Sequence, residues 1–151
     1  MSTTDVPAWP QRPQNLAVLL RETYVGLNAL VIARLAEHGH EQIRPAHSAV
    51  FEYLDGEGTT VSLLAERAQM TKQAMSELVR HLETHGYVVR VPDPSDGRAK
   101  LVMATDRGRD VFAIAQGLVP ELEARVEGIL GADRVAAFSS DLEAVRRGVG
   151  R

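Results

Sequence analysis

The chain has 151 residues, of which 44% are hydrophobic, with a net charge of −3 and a pI near 5.9. That size suits one compact domain with an extension for self-association. The absence of Cys excludes disulfides, a thiolate nucleophile, a zinc ribbon and thiol-based redox sensing. The first residues, Met1 to Asp5, lack the basic start and apolar run of a signal peptide, and no apolar stretch reads as long enough to cross a membrane. The expectation is a cytoplasmic chain with no membrane partner. A mildly acidic total argues against a nucleic-acid partner, but the charge is uneven: residues 61–104 are net +1, against −3 for 1–60 and −1 for 105–151.

Residues 1–13 are polar and carry Pro7, Pro10 and Pro13, which predicts a poorly ordered arm, with Trp9 as the one side chain expected to pack on a partner. From Asn15 the pattern becomes helical. Leu16, Leu19, Leu20, Leu27, Leu30, Val31 and Leu35 recur at three- and four-residue steps to about His38, and Gly39 is a natural stop. Pro45 can open a second helix that carries Ala46, Ala49, Val50, Tyr53 and Leu54 inward and ends at Gly56. Thr59-Thr60-Val61 leaves room for a short strand. Thr60 or Ser62 then caps a third helix that buries Val61, Leu64, Ala65 and Ala68.

Gln69-Met70 forms a tight turn, Thr71 caps a fourth helix, and His85-Gly86 ends it. Along that helix Met75, Leu78, Val79 and Leu82 make one apolar stripe, while Thr71, Lys72, Gln73 and Ser76 put hydrogen-bonding groups at its start. Two short helices joined by so brief a turn, the second polar at its entry, form a helix-turn-helix signature; the polar start suits entry into a DNA groove. After Gly86 the period changes to two, with Tyr87, Val89 and Val91 on one side and Val88 and Arg90 on the other. Pro92 to Gly97 is a turn-rich tip, and Lys100 to Met103 returns. This hairpin is a wing, placing Arg98 and Lys100 where they could reach phosphates or the minor groove. Thr105 caps a further helix with the stripe Val111, Ile114, Leu118, Leu122, Val126, Ile129 and Leu130, which Pro120 should kink or break. A last amphipathic helix carries Val135, Phe138, Leu142 and Val145. The terminal helices have apolar faces to spare, which a dimer interface would use.

This order of elements resembles the multiple antibiotic resistance regulator (MarR) family of winged helix-turn-helix transcription factors. The matching residues are Leu64 to Arg67, Met70 to Ser76, Leu82 to Val88, the wing stretch Asp93 to Ala99, and Ala104 to Gly108. The expected fold is mainly α (α+β). Residues 14–44 form an N-terminal dimerisation helix and linker, and 45–104 a winged helix-turn-helix domain with its recognition helix at about 71–85 and wing at about 87–104. Residues 105–151 form C-terminal dimerisation helices. The resemblance implies a homodimer on a pseudo-palindromic operator of double-stranded DNA, acting as a ligand-responsive repressor. It also implies an effector, often a small aromatic or phenolic compound, bound between the dimerisation helices and the winged domain. Carried over, the wing arginine is Arg98 with Asp96 as its orienting partner, and the helix-start contacts are Thr71, Lys72, Gln73 and Ser76. Many relatives carry Arg where this chain has Glu77 and His81.

Other readings compete with this one. Glu77 and the acidic pI suit a winged protein-interaction module without sequence-specific DNA binding. His81 and His85 at i, i+4, the cluster His38-Gly39-His40-Glu41, and His47 invite a metal-sensing regulator, but no three or four ligands fall at a recognised spacing. The macrodipole explains a histidine at a helix C-terminus, and solvent explains those in loops. With no phosphate loop, no Cys and no nucleophile elbow, the sequence predicts neither an enzyme nor a cofactor. Tyr24, His47 and Phe51 are candidates for lining an effector pocket, with core packing as the alternative role.

Overall fold

Asn15 starts the first helix by accepting a hydrogen bond from the Val18 N–H at its side chain, and α1 (Leu16–Glu37) runs for 22 residues to a cap at His38. Gly39 follows at φ 85°, the left-handed turn that the sequence pattern anticipates. A computed structural model describes residues 11, 12 and 14–150, so the expected arm with Trp9 lies almost wholly outside the described residues. Five more helices and one hairpin follow α1: α2 (Ser48–Tyr53), α3 (Val61–Arg67), α4 (Lys72–Thr84), β1 (Val88–Asp93), β2 (Asp96–Ala104), α5 (Asp106–Leu130) and α6 (Ala132–Val149).

The second helix departs from expectation. Pro45–His47 forms a 3-10 turn, α2 is only six residues, and Leu54 is already extended. Ala46 and Tyr53, expected inward, are exposed, because the tighter turn rotates the two ends of the segment off the buried side of Val50. The strand expected at Thr59-Thr60-Val61 is reduced to one bridge. Thr59 exchanges both backbone hydrogen bonds with Val102, and Val61 already belongs to α3. Thr60 caps α3, and Gln69 takes the left-handed φ of 54° that reverses the chain into α4.

Leu35, Ile43, Val50, Leu64, Met75, Val79 and Leu82 form the centre of the core, closed on the wing side by Tyr87, Val88 and Val102 and on the C-terminal side by Val111. Fully burying each large apolar side chain contributes about 1.5–3 kcal/mol. In the wing, Val88 pairs with Ala104, Arg90 with Val102 and Pro92 with Lys100; beyond a bulge at Pro92/Asp93, Asp93 pairs with Asp96. Val88 is buried and Val89 exposed, as alternation requires, but Tyr87 precedes the strand and points into the core instead of sharing the face of Val89.

Pro120 does not break α5, which continues through it to Leu130. Packing against α1 and the Arg34–Glu121 ion pair at 2.8 Å hold the helix across the position where one backbone donor is missing. The terminal helices leave much apolar surface uncovered: Leu16, Leu19, Tyr24, Val25, Phe112, Ile129 and Val149 are all half exposed or more, and α6 has no buried residue. By length and composition α1 could also cross a membrane, which corrects the expectation that no stretch qualifies. Its apolar residues are interleaved with Ala, Gly, Asn and Thr, so the sequence displays their periodicity better than their total.

Tyr87 joins three elements. Its N–H donates to the Leu82 carbonyl at the end of α4, and its carbonyl accepts from the Thr105 N–H at 3.1 Å. Its phenol oxygen accepts from Arg107 at 3.0 Å, with the guanidinium also 4.4 Å over the ring. The phenol O–H then donates to His40 Nδ1, and His40 Nε2–H donates to Asp110 at 2.6 Å. Gly108 lets the first turn of α5 approach closely enough that any Cβ there would collide with the Tyr87 carbonyl. Gly108→Ala should therefore cost about 1–3 kcal/mol or more. Gly117→Ala, where a Cβ meets nothing, should gain about 0.5–1 kcal/mol. Urea unfolding of the two variants checks the contrast; equal effects would contradict the close approach at Tyr87.

Candidate nucleic-acid interface

The two faces of α4 separate as its periodicity predicts. Met75, Val79 and Leu82 are fully buried, whereas Lys72, Gln73, Glu77 and Arg80 are exposed and Ser76 is half-buried. Thr71 has a structural duty, since its hydroxyl accepts from the Ala74 N–H at 3.1 Å as the N-cap. Among the described residues Lys72, Arg80, Arg98 and Lys100 take part in no ion pair. Arg67 and Arg90 are committed elsewhere: Arg67 holds the Tyr53 carbonyl and Asp55, and Arg90 lies 3.6 Å from Glu83. Sequence reasoning stopped at Ser76 and passed over Arg80. Its i+4 spacing from Ser76 and i+7 spacing from Gln73 was the available signal.

The wing tip is shaped by two aspartates. Asp93 accepts from the backbone N–H and hydroxyl of Ser95, which holds its carboxyl below the usual carboxylate range and keeps it charged. Asp96 accepts the backbone N–H of Arg98 at 3.1 Å. Asp96, expected as the orienting partner of Arg98, thus holds that residue by its backbone. Arg98 and Lys100 both stand exposed, Lys100 on the return strand opposite Pro92.

The second half of α4 turns towards the protein. His81 Nε2–H donates to the Gln42 carbonyl at 2.9 Å, and its ring stacks on His47 at 4.4 Å and 12°. His85 follows at 4.4 Å from His81, with its Nδ1–H donating to the His81 carbonyl. Rings stacked in this way present their nitrogens side by side rather than at one point. Among the described residues, no group of three His, Cys, Asp or Glu could hold a metal. Solvent suits the exposed His38 but not His40 and His47, which are buried, the first by its bridge between Tyr87 and Asp110, the second by its stack and by accepting the Arg44 N–H at Nδ1. Glu77 lies on the rim of an open groove of about 460 Å³ between the 3-10 turn and α4, which Arg44, His47 and His81 also line.

Tyr24, His47 and Phe51 do not converge on one pocket. A cavity of about 480 Å³ lies between α1, α2 and α5, and of the three only Phe51 lines it; Val31, Leu35, Glu52, Phe112 and Gln116 are among the other walls. His47 faces the groove beside α4 instead. Tyr24 donates its phenol proton to Glu52 at 2.9 Å, and burial, followed by the Glu52 hydrogen bond and charge, pushes its pKa up to about 12. The phenol therefore remains a donor throughout the physiological range.

A MarR family model matches residues 41–99. The HTH-type transcriptional repressor Rv2887 of Mycobacterium tuberculosis is 36% identical over 86 residues, 57% of this chain. That match spans 62% of the relative's length, so just under two thirds of the curated protein is represented. Among solved structures, the transcriptional repressor CouR bound to a 23-mer DNA duplex is 26% identical with a TM-score of 0.69, covering 87% of this chain and 92% of CouR. CouR from Rhodococcus jostii RHA1 has also been solved bound to p-coumaroyl-CoA, at 25% identity and a TM-score of 0.67, with coverage of 87% and 92%. MarR from E. coli in its reduced form shares the fold at 23% identity and a TM-score of 0.74, covering 89% of this chain and 98% of that one.

The histidine stack makes a prediction about pH. Burial first, then the charges of His81, Arg44 and His85, lowers the His47 pKa from 6.5 to about 4. The unfolded chain therefore takes up the proton before the folded one does. The stability contributed by His47 is complete above the unfolded value of 6.5 and is lost as the pH falls towards about 4. His47→Asn retains an acceptor for the Arg44 N–H and removes the titration. Urea midpoints at about pH 7.5 and about pH 5 should differ less for the variant than for the parent. Equal differences would contradict a neutral, buried His47.

Proposed function

We propose that the chain is a member of the MarR family of winged helix-turn-helix proteins and a DNA-binding transcriptional regulator acting as a homodimer. The observation that carries the proposal is a set of exposed polar side chains in no ion pair among the described residues, Lys72, Gln73 and Arg80 on α4 and Arg98 and Lys100 on the wing, with the half-buried Ser76 hydroxyl beside them on α4. The start of α4 enters the major groove, where Gln73 can hold adenine by two hydrogen bonds and Lys72 and Ser76 contact bases or phosphates. Arg80 and Lys100 meet phosphates, and Arg98 reaches the minor groove. Glu77 sits among these cations and repels phosphate, so sequence reading is concentrated in the first turn. His81 has no share in it, being turned towards Gln42 and His47.

The helices at 14–44 and 105–151 form the dimer. Their exposed Leu16, Leu19, Tyr24, Val25, Phe138 and Val145 supply the apolar area that a single chain leaves uncovered. This use also accounts for the apolar length of α1 without a membrane and suits a location in the cytoplasm with the chromosome. The cavity between α1, α2 and α5 lies where a ligand would touch the dimer helices and the reading domain together, which supports an effector-responsive repressor. Relatives solved on DNA and with a CoA-linked ligand support both partners.

Duplexes selected from a random pool supply the operator for the test. Gln73→Ala should lose about 1–3 kcal/mol on the selected duplex and little on random DNA. Arg98→Ala should weaken both alike, because wing contacts carry little base information. An equal loss on both duplexes for Gln73→Ala would remove it from the reading set. Failure to select any duplex would leave the winged fold as a protein-interaction module.

A further inference from the structure

The wall chemistry of the cavity between α1, α2 and α5 is specific about charge. Its volume is about 480 Å³, it opens to solvent on the side of the exposed Glu52, its walls are mostly apolar side chains, and Arg, Lys and His are absent from its lining. Its one formal charge is the Glu52 carboxylate. The other polar walls are largely spoken for, because Ser48 donates to Asn28 Oδ1 at 2.9 Å and leaves only the Gln116 amide without a partner among the described residues. One Glu52 oxygen accepts from Tyr24, and Glu52 has no cationic partner among the described residues. Phe51 and Phe112 line the same space.

A carboxylate ligand entering this cavity would leave water for apolar walls and approach Glu52 with no counter-charge, which is costly. An ammonium group meets the reverse situation. It can donate to the unpaired Glu52 oxygen in a charge-assisted hydrogen bond, and aromatic faces attract it as well. We propose that this cavity takes a lipophilic amine, an aromatic or aliphatic body bearing one protonated nitrogen that docks on Glu52, and selects against carboxylates. The assignment rests on the reading of the cavity as the effector site and names the chemical class it accepts.

Three matched probes test it on the full chain by calorimetry: 2-naphthylmethylamine, 2-naphthylmethanol and 2-naphthoate. The amine should bind at least about tenfold tighter than the alcohol, and the carboxylate more weakly than either. Glu52→Gln keeps an acceptor for Tyr24 but removes the charge, so it should abolish the preference for amine over alcohol while leaving alcohol binding in place. Tighter binding of the carboxylate, or an amine preference that survives Glu52→Gln, overturns the charge assignment while the cavity still binds ligands. Binding of none of the three overturns the effector-site reading and this assignment with it.

Discussion

The carbonyl and phenol of Tyr87 fix where α4 and the wing lie relative to α5. The residue sits between the last turn of α4 and the first strand of the wing, fully buried, and ties both to the start of α5. The junction adds backbone and side-chain hydrogen bonds to the core packing that already seats α4 and the wing. With it, the cations of the wing tip and the polar start of α4 are held on one rigid body. The same junction passes through Arg107, His40 and Asp110 to the two long helices. A displacement of α1 against α5 therefore reaches the wing through hydrogen bonds as well as packing, a physical route for an effector bound between those helices.

Charge is used sparingly. Among the described residues seven arginines stand in ion pairs, while Lys72 and Arg80 on α4 and Arg98 and Lys100 on the wing stand in none. An acidic protein can in this way present a local basic surface without a basic total, because phosphate attraction decays within about 10 Å at ordinary salt. The acidic pI therefore says little about a DNA partner. Glu77 matters more, since it stands within that surface.

Where backbone chemistry acts locally, the sequence was readable. The caps at Asn15, Thr60, Thr71 and Thr105, the glycine turns at Gly39 and Gly86, and the apolar stripe of α4 all follow from neighbouring residues. Features set by tertiary contacts were not. The 3-10 turn after Pro45, the single bridge at Thr59, the unbroken α5 at Pro120 and the burial of His40 and His47 depend on partners dozens of residues away. The site divides in the same way. The exposed positions of Lys72, Gln73 and Arg98 were legible from motif and periodicity. The role of Asp96 through the Arg98 backbone, and the turn of His81 towards Gln42 and His47, required coordinates. The cavity was the least legible part, because its walls come from three helices and only Phe51 was named in advance.

On the proposed function, the chain binds duplex DNA as a dimer through α4 and the wing of each subunit. The most direct test is an equilibrium titration of random duplex at a series of salt concentrations, with the stoichiometry of the complex measured alongside. The account predicts two chains per bound site and a log–log salt dependence steeper than about −3, from a slope of about −0.9 for each phosphate contacted. A protein that remains monomeric, or that fails to bind at about 50 mM salt where such contacts are strongest, would contradict it.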